Sequence, residues 1–138
     1  MSKIAVIFWS GTGNTQAMAQ ALVEGAKEKN KDVELFEVSD FDIAMLDNYD
    51  ILALGCPSMG IEVLEEAEFE PFFESIEDKI SNKRVVLFGS YGWGDGQWMR
   101  DWEERTVSKG GKLIGGEGII CQEEPDDECI HKLKNILN

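Results

Sequence analysis

Six apolar residues without alternation, Ile4-Ala5-Val6-Ile7-Phe8-Trp9, run straight into Ser10-Gly11-Thr12-Gly13-Asn14-Thr15. A short apolar run that never alternates marks a strand covered on both faces, as in a parallel sheet with helices on either side. The run recurs at Ile51 to Gly55 and Val85 to Gly89, in a weaker alternating form at Val33 to Val38, and at Lys112 to Ile120, where Gly115-Gly116 interrupts it. Helical spacing fills the intervals. Ala17, Met18, Ala21, Leu22 and Ala26 form one stripe, with Asn14 or Thr15 placed to cap its start. Phe72, Phe73, Ile76 and Ile80 follow Pro71, a proline tolerated in a first turn. Trp98, Trp102, Arg105 and Thr106 continue a third helix, and Pro125 to Leu137 makes a fourth whose first turn holds Asp126, Asp127 and Glu128, where the helix dipole favours acids. Asp40 to Asp50 is too short and polar to assign.

Strands alternating with helices at this spacing predict βαβ units with right-handed crossovers. The expected fold is α/β: a three-layer, doubly wound, five-stranded parallel sheet of order 2-1-3-4-5, in which ligands bind at the carboxyl ends of the strands where the order reverses. The length of 138 residues suits one domain spanning residues 1–138.

Charge removes several function classes. With 27 acidic against 13 basic residues, the net charge of −14 argues against nucleic acid or an anionic membrane as partner and for proteins with basic faces. No apolar run nears the roughly 18 to 20 residues that span a bilayer, and the first residues do not read as a signal sequence, so a cytoplasmic protein is expected. Cys56, Cys121 and Cys129 lack CxxC spacing and are expected to be reduced packing residues, with no zinc site. His131, in the last helical pattern, reads as a surface histidine rather than a catalytic one.

Three loops should meet at the switch point. In the first, Gly11 and Gly13 allow inward-pointing N–H groups, while Ser10, Thr12, Asn14 and Thr15 add side-chain donors ahead of a helix N-terminus: an anion site without a cation. No Gly-Lys-Ser/Thr follows, as a Walker loop requires, and Gln16 stands where a dinucleotide fingerprint needs its third glycine. The hydroxyls suit a terminal phosphate. In the second, Pro57-Ser58-Met59-Gly60-Ile61-Glu62, a type II′ turn with Gly60 at its first central position is expected, and Met59 would place a thioether in the crevice. In the third, Ser90-Tyr91-Gly92-Trp93-Gly94-Asp95-Gly96, glycines leave Trp93 too little cover to be buried, as for an indole lying over a ligand.

Together the three loops resemble those of the flavodoxins, over the whole chain and closest to the short-chain, clostridial-type members. Ser10 to Thr15 is similar to that family's phosphate loop, Met59-Gly60-Ile61-Glu62 to its isoalloxazine turn, and Gly89 to Gly94 to its aromatic cover loop. The resemblance implies a flavodoxin-like fold, FMN as cofactor and one-electron transfer by a stabilised neutral semiquinone, in an acidic, monomeric carrier serving basic-faced redox partner proteins. It places the FMN phosphate in Ser10 to Thr15 with Ser58 as an extra hydroxyl, Met59 and Trp93 on the two flavin faces, Glu62 at flavin N3, and Gly92 near the pyrimidine carbonyls. Ile61 departs from the family pattern, in which a small or polar residue is common there. Acidic residues such as Glu62, Asp95 and the Glu65-Glu66-Glu68-Glu70 run would then depress the second reduction potential.

A receiver domain of the same fold would need acidic residues where Trp9-Ser10 and Gly55-Cys56 stand, and a low-molecular-weight phosphatase would need a cysteine and arginine in the phosphate loop. A small FMN-dependent quinone or NAD(P)H oxidoreductase is the stronger alternative, although its hydride donor needs a second pocket that a chain of 138 residues leaves little room for.

Overall fold

A computed structural model describes residues 3–137. Its strands and helices alternate as β1 (Lys3–Phe8), α1 (Asn14–Glu28), β2 (Asp32–Glu37), β3 (Ile51–Gly55), α2 (Phe69–Ile76), β4 (Arg84–Tyr91), α3 (Gln97–Ser108), β5 (Lys112–Leu113), β6 (Ile119–Gln122) and α4 (Asp127–Asn135). All strand pairs are parallel, in the order β2-β1-β3-β4-β5, with β6 also paired to β4. The expected order therefore holds. The fifth strand is split where Gly115-Gly116 interrupts it, so that β5 lies beside Arg84 and Val85 while β6 lies beside Phe88 to Tyr91.

The unbroken apolar runs are explained by two cores. Successive side chains of a strand point to opposite faces, so Ala5, Ile7, Leu52, Leu54, Val85 and Leu87 enter one core while Ile4, Val6, Phe8, Ala53, Val86 and Phe88 enter the other. The first is roofed by α2, α3 and the 40s segment, the second by α1 and α4. Phe69 and Phe73 meet Trp102 edge-on at centroid distances of 5.4 and 5.9 Å, the arrangement that aromatic quadrupoles favour. The unassigned 40s segment forms two short 3₁₀ stretches, Val38–Asp40 and Ile43–Asn48, the second begun by an Asp42 carboxylate that accepts the Ala44 N–H.

One sequence expectation is corrected by the packing. Cys121 and Cys129 are not separate thiols: they form a disulfide, Cα atoms 6.2 Å apart, because α4 folds back over β6 and brings together residues eight apart. Cys56 stays free and buried. Within the run Glu65 to Glu70 the carboxylates differ in their surroundings. Glu65 is 7% exposed, and its carboxylate accepts the N–H groups of Ala67, Glu68 and Phe69 at 2.8, 2.8 and 2.9 Å where α2 begins. Glu70 and Glu77 are both bound by Arg105, which also lies 4.7 Å from the centre of the Phe73 ring. Within that run, only Glu66 and Glu68 are exposed carboxylates.

Burial would raise the pKa of Glu65, but the three N–H donors prevail and hold it below the ordinary glutamate value. A depressed folded pKa gives stability that is present above the unfolded value of about 4.3 and is lost as pH falls through the folded one. Glu65→Gln is therefore expected to lower stability at pH 7 by about 0.5–2 kcal/mol, the range for losing a helix cap. The difference from the wild type should shrink as the pH is lowered from about 5 to 3. Urea midpoints across that range check it; a constant difference would mean that ionisation at Glu65 is immaterial.

Candidate functional site

The first loop is organised by Ser10. Its hydroxyl oxygen accepts the N–H groups of Gly13 and Gln16 at 3.1 and 3.3 Å, closing the turn that starts α1. The sequence pattern puts Asn14 or Thr15 at the cap of this helix. The cap residue is instead Gly13, at φ 96°, where a Cβ would be strained, and Ser10 supplies the side-chain acceptor from outside the helix. The backbone N–H groups of Gly11, Thr12, Asn14 and Thr15 donate to no protein acceptor among the described residues. Unsatisfied amides at a helix start, aided by its dipole, are an anion cradle.

Thr15 does more than line this loop. Its buried hydroxyl meets the Ser90 hydroxyl at 3.1 Å and accepts the Ser90 N–H at 3.4 Å, joining the end of β4 to the start of α1. Ser90 in turn accepts the Ser58 N–H at 3.0 Å through its carbonyl, so one residue ties the first and second loops to the third.

The second loop is a hairpin closed between Met59 and Val63, which exchange backbone hydrogen bonds of 2.8 and 2.9 Å. Gly60 has the positive φ expected of it, 51°, but the turn is one residue longer than a type II′ turn, and Glu62 is also left-handed, at φ 47°. The Glu62 carboxylate accepts the Gln97 N–H at 3.0 Å, at the start of α3. Ile61 is 87% exposed, which leaves its branched side chain clear of the packed part of the turn.

The carboxyl ends of β1, β3, β4 and β6 enclose a cavity of about 500 Å³, within the usual range for small-molecule sites. Of the first loop, Ser10, Gly11, Thr12, Asn14 and Thr15 line it; of the second, Pro57, Ser58 and Met59; of the third, Ser90, Tyr91 and Gly92. Seven of the expected site residues lie outside this lining. Gly13 and Gly60 serve as left-handed turn residues, Glu62 is held at α3, and Trp93 is 64% exposed. Gly94 and Gly96 take φ values of 88° and 91° on the approach to α3, and Asp95 pairs with Arg100 at 3.0 Å.

Three lining residues escaped the sequence reading: Trp9, Glu123 and Glu124. Trp9 reads as the last residue of a strand, yet β1 stops at Phe8. Glu123 and Glu124 reach the cavity because β6 pairs with the end of β4, setting Ser90 beside Cys121 and Tyr91 beside Gln122. The Gly115-Gly116 break hid that strand's true end; the signal that pointed to it is the short alternating run up to Gln122 ahead of an acidic turn.

The cavity combines neutral hydrogen-bond donors with Trp9, Met59 and Tyr91, an apolar surface suited to a planar ring. FMN fits this donor set: unpaired amides for a phosphate, apolar and aromatic side chains for an isoalloxazine. His131 lies in α4, against a different groove.

Comparison with known proteins agrees with the geometry. A family model described as Flavodoxin matches residues 6–133. The flavodoxin of Clostridium beijerinckii is 54% identical over 96% of this chain and 98% of its own length. That of Megasphaera elsdenii is 43% identical over 91% of this chain and 92% of its own length. The solution structure of two-electron reduced Megasphaera elsdenii flavodoxin superposes with a TM-score of 0.86 at 40% identity, covering 96% of each chain.

Proposed function

Because the chain belongs to the flavodoxin family, and is thus an FMN-binding electron-transfer protein rather than an enzyme, we propose that it is a low-potential carrier shuttling single electrons between redox proteins through a stabilised neutral semiquinone. One observation carries this reading: a single cavity offers unpaired amides for a phosphate and the apolar surfaces of Trp9, Met59 and Tyr91 for a ring.

In that site FMN supplies the redox chemistry, and the protein supplies binding, orientation and field. With FMN bound, the backbone amides of Gly11, Thr12, Asn14 and Thr15 and the side chains of Ser10, Thr12, Asn14 and Thr15 would hold its phosphate, Ser58 would stand near it, and Pro57, Met59, Ser90, Tyr91 and Gly92 would border the ring. Gly11 and Gly13 let the phosphate loop turn; Gly94, Asp95 and Gly96 carry the third loop into α3. Trp93, exposed as it is, is free to close over the outer flavin face. With FMN bound, the Glu62 carboxylate would accept a hydrogen bond from flavin N3–H, and the Gly60 carbonyl would accept one from N5–H. That last role requires the Gly60-Ile61 peptide to rotate, which a glycine permits at low energy.

Gly60→Val is accordingly expected to lower the yield of the blue radical during photoreduction by several-fold, because a β-branched residue resists both the left-handed φ of 51° and the rotation. The visible spectrum during stepwise reduction tests the whole proposal: a yellow protein should pass through a blue form. A colourless protein that takes up no FMN would refute it, and direct bleaching by NAD(P)H would indicate the oxidoreductase instead.

Partners are proposed to be reductases and oxidoreductases with basic docking faces. Support comes from exposed Met59, Ile61, Val63 and Trp93, which crowd the second and third loops, and from the carboxylates of Glu62, Asp95, Glu123 and Glu124 in and beside them. An apolar patch ringed by charge of one sign suits brief, electrostatically steered encounters. A cytoplasmic monomer that engages neither nucleic acid nor membrane completes the proposal. Among the described residues no helix is long and apolar enough to cross a membrane.

A further inference from the structure

The Cys121–Cys129 disulfide borders the segment that forms one wall of the cofactor cavity. Cys121 sits in β6 directly beside cavity-lining Ser90, and the residues immediately after it include Glu123 and Glu124, which line the cavity themselves. Three contacts hold this turn: the Glu123 N–H donates to the Tyr91 carbonyl at 2.8 Å, the Gln122 side-chain amide donates to the Gly92 carbonyl at 3.4 Å, and the disulfide ties its two ends. Glu123 is kept at φ 56°, a left-handed conformation unfavourable for a residue with a side chain.

A bridge between residues eight apart closes a short loop and so restricts the unfolded chain less than a long one would. Its main effect is local. It fixes the register of β6 against α4 and keeps a strained turn in place beside the cavity.

We propose that Cys121 and Cys129 form a reversible dithiol–disulfide site that controls how firmly this acidic wall is held around FMN, its reactants being small or protein dithiols. In the reduction a dithiol gives two electrons and two protons; the bond between the Cys121 and Cys129 sulfurs breaks, each becomes a thiol, and the reactant becomes a disulfide. Freed of the bridge, the turn at Glu123 relaxes toward ordinary backbone angles and the wall loosens. Cys56 takes no part, since burial pushes its thiol up and keeps it protonated. This inference rests on FMN being the occupant of the cavity.

The test uses the holoprotein, equilibrated in air or with dithiothreitol. Alkylation under denaturing conditions, read by mass spectrometry, is expected to label Cys56 alone in the air-equilibrated protein and all three cysteines after dithiothreitol. FMN release on dilution, followed by flavin fluorescence, should show a Kd about five- to tenfold higher in the reduced protein. A variant carrying Cys121→Ser and Cys129→Ser should match the reduced protein and ignore dithiothreitol; if it does not fold, the two states of the wild type decide. Three labelled cysteines in air, or equal FMN affinity in the two states, overturns the proposal. Absence of bound flavin in both states would instead bring down the FMN reading, and this proposal with it.

Discussion

Riboflavin is expected to bind this protein about 1,000-fold more weakly than FMN. The two ligands differ by one phosphate, and the first loop presents the unpaired N–H groups of Gly11, Thr12, Asn14 and Thr15 around the place where it would lie. A hydrogen bond to a charged group contributes about 1.5–3 kcal/mol net, so two such bonds alone give about 4 kcal/mol, or three decades in Kd. The same loop fixes the sign of the salt effect. No lysine or arginine stands between Ser10 and Thr15 while the chain carries a net charge of −14, so added salt should screen repulsion of the phosphate and tighten FMN binding. Riboflavin should show little salt dependence. Fluorescence-quenching titrations of both ligands at low and high ionic strength measure the two effects, and equal affinities for them would show that the loop does not hold the phosphate.

Gly89→Ala is expected to destabilise the fold by about 3 kcal/mol, the upper end for overpacking and a large share of the roughly 5–15 kcal/mol that holds a domain together. A Cβ at Gly89 would run into the Cys56 carbonyl oxygen, which already accepts the indole N–H of Trp98 at 3.2 Å. The obstacle is backbone, and it cannot step aside as a side chain could. Relief requires β3 to separate from β4 just before Pro57, which disturbs the cavity as well, so FMN affinity should fall along with the urea midpoint. Gly92→Ala supplies the contrast, because a Cβ there meets nothing within 4 Å. Its stability should stay within about 0.5 kcal/mol of the wild type. Equal effects at the two positions would mean that the approach of β3 to β4 around Gly89 is not tight.

Local pattern was enough for the frame. Both faces of β1, β3 and β4 are covered, and a strand covered twice has no polar position to alternate with, so the runs Ile4 to Phe8 and Ile51 to Gly55 already required helices above and below. The donor-rich start of α1 was legible for a similar reason: its amides and hydroxyls belong to consecutive residues, Ser10 to Thr15, and a helix start orients them whatever else the chain does. Less was legible at Glu65, whose neighbours in sequence suggest an acidic surface although its carboxylate is folded into the start of α2. The sign of a charge can be read from its letter, but its partners cannot.

Sequence by itself determined the alternation of strands and helices and the neutral donor set of the first loop, because the one follows from short-range periodicity and the other from consecutive residues, while the handedness of the crossovers narrowed the strand order to a few. Tertiary structure alone decided that Glu123 and Glu124 join the cavity, that Ser10 rather than Asn14 closes the first turn, that Arg105 engages Glu70 and Glu77, and that Cys121 meets Cys129. These depend on how far β6 runs along β4 and on which side of the sheet each helix settles. Such distances are fixed by the packing of residues remote in the chain, and local propensity carries no information about them.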